Sequence, residues 1–132
     1  MIFFRASAAF SLGLERTGGF ETVAFCEIEA YPRAVLKKHW PKVPCYEDVK
    51  TLTADVLRRD GVGVDLICGG FPCQDLSRAG IGAGLEGSRS GLWFEIARLV
   101  CEIRPRFVIV ENVSALLDRG MDAVLGSLAE IG

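Results

Sequence analysis

The cysteine at position 73 has the setting of a nucleophile. It follows the apolar run DLIC (65–68) and the pair Gly69-Gly70, and glycines allow a tight turn and the close approach of a ligand to the backbone. Pro72 stiffens the segment directly before it, which suits a group that must attack from a fixed direction. Most cysteines are small buried apolar residues. Polar residues follow Cys73, however, and no strand or helix pattern includes it, so we predict a nucleophile.

A glutamate occupies the equivalent place after the next apolar run. Glu111 follows FVIV (107–110), and the carboxyl ends of neighbouring parallel strands meet at one edge of a sheet, so we expect its carboxyl group to face Cys73. A nearby carboxylate ordinarily disfavours a thiolate through like-charge repulsion. The pair is chemically consistent if Glu111 is protonated when it acts, donating a hydrogen to a substrate ring nitrogen while Cys73 attacks carbon. The alternative is a carboxylate that caps the following helix.

The elements that must position this pair alternate between strand and helix. Continuous apolar runs are typical of strands buried on both faces of a parallel sheet, and they occur at 1–4, 21–27, 65–68 and 107–110. Apolar residues at helical spacing lie between or after them, at 31–36, 92–103 and 121–128. This order predicts an α/β fold with an open, doubly wound, mostly parallel sheet and helices on both faces.

Folds of this kind bind ligands beyond the carboxyl ends of the strands. Glu27 ends the second predicted strand and Asp48 lies in a short segment after it, so each could hold the hydroxyl groups of a ribose or remain a solvated surface charge. A nucleotide-binding loop after the first strand should be rich in glycine, whereas residues 5–9 read RASAA. Alanine methyl groups obstruct a close approach of ligand to backbone, and we therefore expect weak cofactor binding.

A glycine-rich segment between two arginines follows the cysteine. Arg78 and Arg89 flank glycines at 80, 82, 84 and 87, a composition typical of a lid that carries positive charge. Such arginines can meet phosphates. The alternative is a solvated loop with ordinary surface arginines.

Composition bounds the class of protein. The 132 residues suit one domain, half of them are hydrophobic, and the formal charge of −2 gives no argument for nucleic acid by itself. The five cysteines include no C-x-x-C pair, so we expect neither a disulfide framework nor a metal site, and a reducing, cytoplasmic setting fits best. No stretch approaches the roughly 20 apolar residues of a membrane span. Cys26, Cys68 and Cys101 have apolar neighbours and are predicted to be buried.

Four stretches carry a resemblance to a known family. GGFPCQDLS (69–77), ENV (111–113), GSRSGLWFEIARL (87–99) and FSLGLERTGGFETVAFCEIEAYPRAVL (10–36) closely resemble the catalytic domain of DNA cytosine-5 methyltransferases of the bacterial or phage modification type. The resemblance covers essentially the whole chain. It implies a Rossmann-like, S-adenosylmethionine-dependent methyltransferase fold in which residues 1–132 form a partial catalytic domain, without a target-recognition domain.

The resemblance also implies roles for individual residues. Cys73 would add to C6 of a cytosine flipped out of double-stranded DNA, and Glu111 would hold the ring N3 and the exocyclic amine and supply a proton. The residues that match cofactor-binding positions are Phe4, Glu27, Ile28, Asp48, Val49 and Leu92. The residues that match positions near the base or the DNA backbone are Pro72, Gln74, Ser77, Arg89 and Asn112.

The chain departs from the family pattern in two respects. Ile2 stands where the family has an acidic residue, and the alanines of the segment Ala6, Ser7, Ala8 and Ala9 stand at its glycines, which again predicts weak binding of S-adenosylmethionine. Family members also continue with a glutamine-arginine motif, a target-recognition domain and a closing segment. We therefore expect a methyltransferase fragment that is inactive alone. The alternatives are a noncatalytic remnant or binding module, and one half of a split enzyme with a complementing chain.

Overall fold

The computed structural model describes residues 1–4, 8–71, 91–112, 114, 116–117 and 121–132. Strands and helices alternate along these ranges, as the apolar runs predict. The strands are β1 (Ile2–Phe4), β2 (Ala24–Cys26), β3 (Cys45–Tyr46), β4 (Leu66–Gly70) and β5 (Phe107–Glu111). The helices are α1 (Ala8–Glu15), α2 (Ala30–His39), α3 (Ala54–Arg59), α4 (Gly91–Ile103) and α5 (Met121–Ile131).

The strands form one parallel sheet in the order β3-β2-β1-β4-β5. β1 is central, with Ile2 paired to Ala24 of β2 on one side and to Ile67 of β4 on the other. The chain therefore winds outward in both directions from β1, and the strand order reverses between β1 and β4. This arrangement confirms the predicted doubly wound sheet, and it places a ligand-binding crevice at the carboxyl ends of β1 and β4.

Both faces of the sheet are covered by helices, as predicted. Successive strand residues point to opposite faces. Ile2, Ala24 and Ile67 pack with buried side chains of α3, α4 and α5, whereas Phe25 and Cys68 pack on the other face with α1, α2 and Trp40. Each layer buries apolar side chains against the sheet, and this burial is the main source of stability of such a fold.

The longest helix has a regular apolar stripe. Trp93, Ile96, Leu99 and Val100 of α4 are at most 7 % exposed and face the sheet. The helix ends at Ile103, before Arg104 in the left-handed region at φ 53°. A proline follows Arg104, and the residue before a proline is disfavoured in helical conformation.

Several local expectations are wrong. Gly69 and Gly70 do not form a turn but belong to β4, which continues two residues beyond the predicted strand. Tyr31 was expected to share an apolar face with Leu36, yet it is 81 % exposed in the first turn of α2. Cys101 was expected to be buried but is exposed, because burial in a helix follows its period rather than the apolar character of sequence neighbours.

Cys26 and Cys68 are buried, as predicted. Among the described residues, no helix is both long and apolar enough to span a membrane.

Candidate functional site

The ends of β4 and β5 lie side by side. Gly70 is the register partner of Glu111, the last residue of β5. A Cβ atom placed on Gly70 would lie 2.9 Å from Oε2 of Glu111 and 3.2 Å from its carbonyl oxygen. A side chain at position 70 would therefore displace the carboxylate. Glycine at this position lets the Glu111 carboxylate lie against the bare backbone of β4, at the point where β4 ends.

Phe71, the first residue after β4, is held by two groups. The side-chain Nδ2 of Asn112 donates a hydrogen bond of 2.8 Å to the Phe71 carbonyl oxygen. The centroids of the Phe71 and Trp93 rings lie 5.5 Å apart, and the Trp93 indole nitrogen donates a hydrogen bond of 2.8 Å to Oγ of Ser127. The segment that leads to Cys73 therefore starts from a fixed residue, and Cys73 follows Phe71 by two positions in the sequence.

Part of the predicted site lies outside the described residues. This holds for the predicted nucleophile and for the residues expected near base or phosphate, Pro72, Cys73, Gln74, Ser77 and Arg89. It holds equally for Ala6 and Ser7 of the first loop and for the arginine at position 78 of the expected lid. Ala8 and Ala9 begin α1. The backbone of Phe4 ends β1 between Cys26 and Gly69, and its side chain is not described.

Glu27 follows β2, which lies on the opposite side of β1 from β4 and β5, and it is 6 % exposed. Its backbone N–H donates to the Tyr46 carbonyl oxygen at 2.9 Å, which fixes it beside β3. Its Oε1 accepts a hydrogen bond of 2.8 Å from the N–H of Glu29. Within the part of the chain that the structure describes, no hydrogen bond uses Oε2. A buried carboxylate with one free oxygen is suited to accept hydrogen bonds from ligand hydroxyl groups.

Ile28 follows Glu27 in the chain, and Asp48 follows β3, the strand that pairs with β2. The Ile28 side chain is 66 % exposed, so it offers apolar surface beyond the sheet. Asp48 stands two residues after β3, where its Oδ1 accepts from the N–H of Lys50 at 2.9 Å and its carbonyl accepts from Thr51. The Asp48 side chain therefore closes a turn on itself, a geometry typical of aspartate. Together these residues offer one apolar and two carboxylate groups, which fits the adenosine half of a nucleotide-like cofactor.

The two other residues predicted for the cofactor site are partly or wholly in the core. Val49 is 8 % exposed and belongs to the same core cluster as Leu52. Leu92, in the first turn of α4, is half-buried and packs against that cluster.

The described cysteines of the sheet have the properties of inert thiols. Burial is the main cause that raises the pKa of Cys26 and of Cys68 to about 12. Burial also raises the pKa of Cys45. Only a thiolate is an effective nucleophile, so none of these three is suited to attack at neutral pH. Among the described residues, no group of three or more His, Cys, Asp or Glu side chains could hold a metal ion.

Three residues that help to form the site are missing from the sequence prediction. Gly70 was expected in a tight turn, and neither Trp93 nor Arg98 received a role. Arg98 stands three residues after Glu95 and four before Glu102, a helical spacing that indicates ion pairs. No pattern in the sequence indicates that Arg98 also binds the backbone carbonyls of Val49 and Leu52.

The comparisons with known proteins agree with this architecture. Residues 3–132 match the family model of the C-5 cytosine-specific DNA methylases. The chain is 36 % identical to the Type II methyltransferase M2.BsuMI of Bacillus subtilis, over 98 % of this chain and 33 % of that protein. It is 35 % identical to M.Eco47II of Escherichia coli, over 97 % of this chain and 30 % of that protein.

Solved structures show the same fold. The crystal structure of the DNMT2 protein of Spodoptera frugiperda superposes with a TM-score of 0.70 at 18 % identity, covering 98 % of this chain and 40 % of that one. The chain spans about a third of the length of these curated relatives. Since the family model matches almost every residue, the chain belongs to the family of C-5 cytosine-specific DNA methylases.

Proposed function

We propose that the chain carries the nucleophile and the base-binding carboxylate of a DNA (cytosine-5-)-methyltransferase. The observation that supports this most is the contact between the ends of β4 and β5, where Glu111 packs on Gly70 and Asn112 holds Phe71. This contact brings the carboxylate to the start of the segment that contains Cys73. The substrate we propose is a cytosine flipped out of double-stranded DNA, because chemistry on a base requires its removal from the stack.

In the proposed mechanism, Cys73 and Glu111 act on opposite parts of the cytosine ring. Glu111 donates a proton toward N3 and holds the exocyclic amine, which makes C6 electrophilic. Cys73 loses its thiol proton to a base and attacks C6 as the thiolate, and the electron pair displaced from the C5–C6 double bond makes C5 a nucleophile. After C5 is methylated, a base takes the C5 proton and the C6–S bond breaks, which releases the Cys73 thiolate. N3 returns its proton to Glu111, and the aromatic ring is restored.

S-adenosylmethionine, when bound, supplies the electrophilic methyl group. Glu27 would accept hydrogen bonds from the ribose hydroxyls through its free oxygen, Ile28 would pack on the adenine and Asp48 would accept from the adenine amine. Phe4, Val49 and Leu92 complete the proposed set. Ala8 and Ala9 stand where a glycine-rich loop would allow closer approach, so we expect weak binding by this chain. Saturable binding of S-adenosylmethionine at micromolar concentration would contradict this expectation, and it would also exclude the noncatalytic remnant.

The proposed DNA contacts follow from the resemblance alone. Ser77 and Arg89 would meet phosphates, and Pro72, Gln74 and Asn112 would lie near the flipped base. The formal charge of −2 is low for a DNA-binding chain, so most of the sequence-reading surface belongs to segments that the longer relatives contain. Since the substrate is DNA, we propose that the protein acts in the cytoplasm of a bacterium or of a phage-infected cell.

Covalent trapping tests the mechanism. We suggest a chimera in which this chain replaces the matching third of M2.BsuMI, incubated with S-adenosylmethionine and DNA that contains 5-fluorocytosine. Fluorine at C5 cannot leave as a proton does, so the protein should remain bound to the DNA and migrate as an adduct on a denaturing gel. Cys73→Ser should abolish the adduct, whereas Cys68→Ser should retain it because Cys68 is buried. An adduct that depends on Cys68 would refute the assignment.

A complementing chain is the second candidate that we propose, and the outer edge of β5 is where such a chain would pair. In the described part of the chain, β5 pairs with β4 and with no further strand, and Phe107 at its start is 58 % exposed. An open edge with apolar side chains is a template for another strand. A polypeptide with the sequence that follows the matched segment in M2.BsuMI should then form a complex with this chain on size exclusion. Separate elution of the two polypeptides would argue against the split enzyme.

A further inference from the structure

A single arginine of α4 contacts the turn that follows β3. Nη2 of Arg98 donates hydrogen bonds of 2.9 Å to the carbonyl oxygens of both Val49 and Leu52, which are 49 and 46 residues away in the sequence. Its Nε donates to Glu95 at 2.8 Å and its Nη1 to Glu102 at 2.6 Å. Two carboxylates on its own helix thus orient the guanidinium, which leaves Nη2 free for the turn.

The same network holds the start of the next helix. Oε2 of Glu102 accepts a hydrogen bond of 2.9 Å from the N–H of Ala54, the first residue of α3. The Thr53 hydroxyl accepts from the N–H of Val56 at 3.2 Å, so two side chains satisfy two of the N–H groups in the first turn of this short helix. Because Arg98 and Glu102 act together, α4 binds the carbonyls before α3 and the first N–H within it.

These contacts are stronger than ordinary surface ion pairs. The Arg98 side chain is 31 % exposed and its partners are backbone carbonyls of partly buried residues, which would lose hydrogen bonds if the guanidinium were removed. A planar guanidinium can serve two carbonyls and two carboxylates at once, whereas the ammonium group of lysine has three donors around one nitrogen. The side chains of Val49 and Leu52 pack in the core, whereas the hydrogen bonds that the structure describes for Asp48 run to Lys50 and Thr51 within the turn.

We infer that Arg98 is a positioning residue for the cofactor site: by holding the carbonyls of Val49 and Leu52 it orients the Asp48 carboxylate at the carboxyl end of β3. The inference rests on the proposed function, in which Asp48 reads the adenine amine. β3 is a strand of two residues, so its own ladder provides little constraint on the turn that follows. The Arg98 hydrogen bonds of α4 therefore add to the rigidity of the adenine side of the proposed site, to which the same helix contributes Leu92.

The test compares three variants of the chain by NMR. Arg98→Met removes the donors and keeps the length of the side chain, and Arg98→Lys keeps the charge. Arg104→Met is the matched control, because Arg104, the residue directly after α4, also binds backbone carbonyls of a distant segment, those of Ile131 and Gly132. Backbone amide exchange at Lys50 and Thr51 reports on the turn. Titration with S-adenosylhomocysteine, followed by amide shifts of residues 48–52 up to about 5 mM, reports on binding in the millimolar range.

We expect Arg98→Met to accelerate amide exchange at Lys50 and Thr51 and to raise the dissociation constant about tenfold, the equivalent of about 1.4 kcal/mol. Arg98→Lys should fall between the wild type and Arg98→Met. Arg104→Met should lower the melting temperature while the dissociation constant stays within about twofold. If Arg98→Met does not fold, Glu102→Gln is the substitute, and it should shift exchange and affinity in the same direction.

Equal affinity of Arg98→Met and Arg104→Met would overturn the inference while leaving the proposed function intact. So would unchanged amide exchange at Lys50 and Thr51. If the wild type shows no saturable shifts, the proposed cofactor use fails for this chain and the role of Arg98 in the site fails with it. The exchange data identify this outcome, because they would still show a turn held by Arg98.

Discussion

The two halves of the candidate site are built in different ways. At the ends of β4 and β5 the residues position one another, since Glu111 packs on Gly70 and the side chain of Asn112 bonds to the backbone of Phe71. At the ends of β2 and β3 the turn that carries Asp48 is held by Arg98 from a distant helix. In the half proposed to bind the base, neighbouring residues therefore position one another, whereas the half proposed to bind the cofactor is held in part by a distant helix. We expect substitutions in the first half to affect chemistry and those in the second to affect affinity.

The largest expected effect comes from Glu111→Gln, which breaks the base-binding half. An amide cannot supply the proton that activates C6, so methyl transfer by the M2.BsuMI chimera should fall by roughly 10²- to 10⁴-fold. The dissociation constant for S-adenosylhomocysteine should stay unchanged, since Glu111 ends β5, on the opposite side of β1 from Glu27. Transfer of labelled methyl groups and calorimetric titration measure the two quantities. A parallel loss of cofactor affinity would contradict the separation of the halves.

Gly70→Ala tests whether the contact between strands positions the carboxylate. The added methyl group would lie 2.9 Å from Oε2 of Glu111, so the carboxylate must move. A displacement of about 1 Å at a reacting group costs on the order of 100-fold in rate, and we expect a loss of that size in the chimera.

Gly126→Ala is the matched control for this substitution. Gly126 lies in α5 with no atom within 4 Å of the added methyl group, and alanine in a helix should stabilise the fold by about 0.5 kcal/mol or more. Equal methyl transfer by the Gly70→Ala and Gly126→Ala chimeras would show that the close packing at Gly70 has no role in catalysis.

Glu27→Gln should weaken the cofactor half without an equal effect on the chemical step. The amide oxygen can still accept from the N–H of Glu29, but the loss of charge weakens hydrogen bonds from ribose hydroxyls. We expect the dissociation constant for S-adenosylhomocysteine to rise about tenfold, since charged hydrogen bonds contribute roughly 1.5 kcal/mol or more. Glu29→Gln, at an exposed neighbouring position, should leave binding unchanged. A fall in kcat at saturating cofactor would argue for a different role of Glu27.

The smallest effect is a dependence of the cofactor half on pH. Burial disfavours the ionised form of Glu102, but hydrogen bonds from the Ala54 N–H and from Arg98 outweigh it and hold the pKa of this carboxyl below its ordinary value. Because the pKa is lowered by folding, this stabilisation is fully present above the ordinary pKa of glutamate and is lost as the pH falls through the folded value. Its magnitude is below about 1 kcal/mol, since the side chain is a third exposed.

Amide exchange along an acid titration measures this loss. Below about pH 4.5 the N–H groups of Lys50, Thr51 and Ala54 should exchange progressively faster, after correction for the intrinsic effect of pH on exchange. Glu102→Gln should remove the transition. An identical transition in Glu102→Gln would assign it to another carboxylate.

Most of the fold could be predicted from the apolar pattern, and the exceptions share a cause. The runs that form β1, β2, β4 and β5 and the stripes of α2, α4 and α5 are long or apolar enough to be recognised. Three elements were not predicted: β3 has two residues, α3 has six, and α1 has eight and begins at Ala8 and Ala9, which were expected in a loop. Such short elements show no periodicity. β3 forms because Glu27 donates to Tyr46, and α3 begins where Thr53 and Glu102 accept its first N–H groups.

For the candidate site, sequence reasoning identified Glu111 and Glu27 because acidic residues at strand ends stand out against apolar runs. It could not identify the partners that orient them. Gly70 was misassigned to a turn, since glycine has the same sequence signature in a turn and at a close approach of two strands.

The sequence by itself determined the family, the alternation of strands and helices, and the strand ends at which chemistry-bearing residues stand. These properties are local, because they depend on residue types at short spacing. The tertiary structure alone decided that Gly70 lies against Glu111 and that Arg98 binds the carbonyls of Val49 and Leu52. Such contacts join residues more than 40 positions apart, and they arise only once the strand order β3-β2-β1-β4-β5 has brought the segments together.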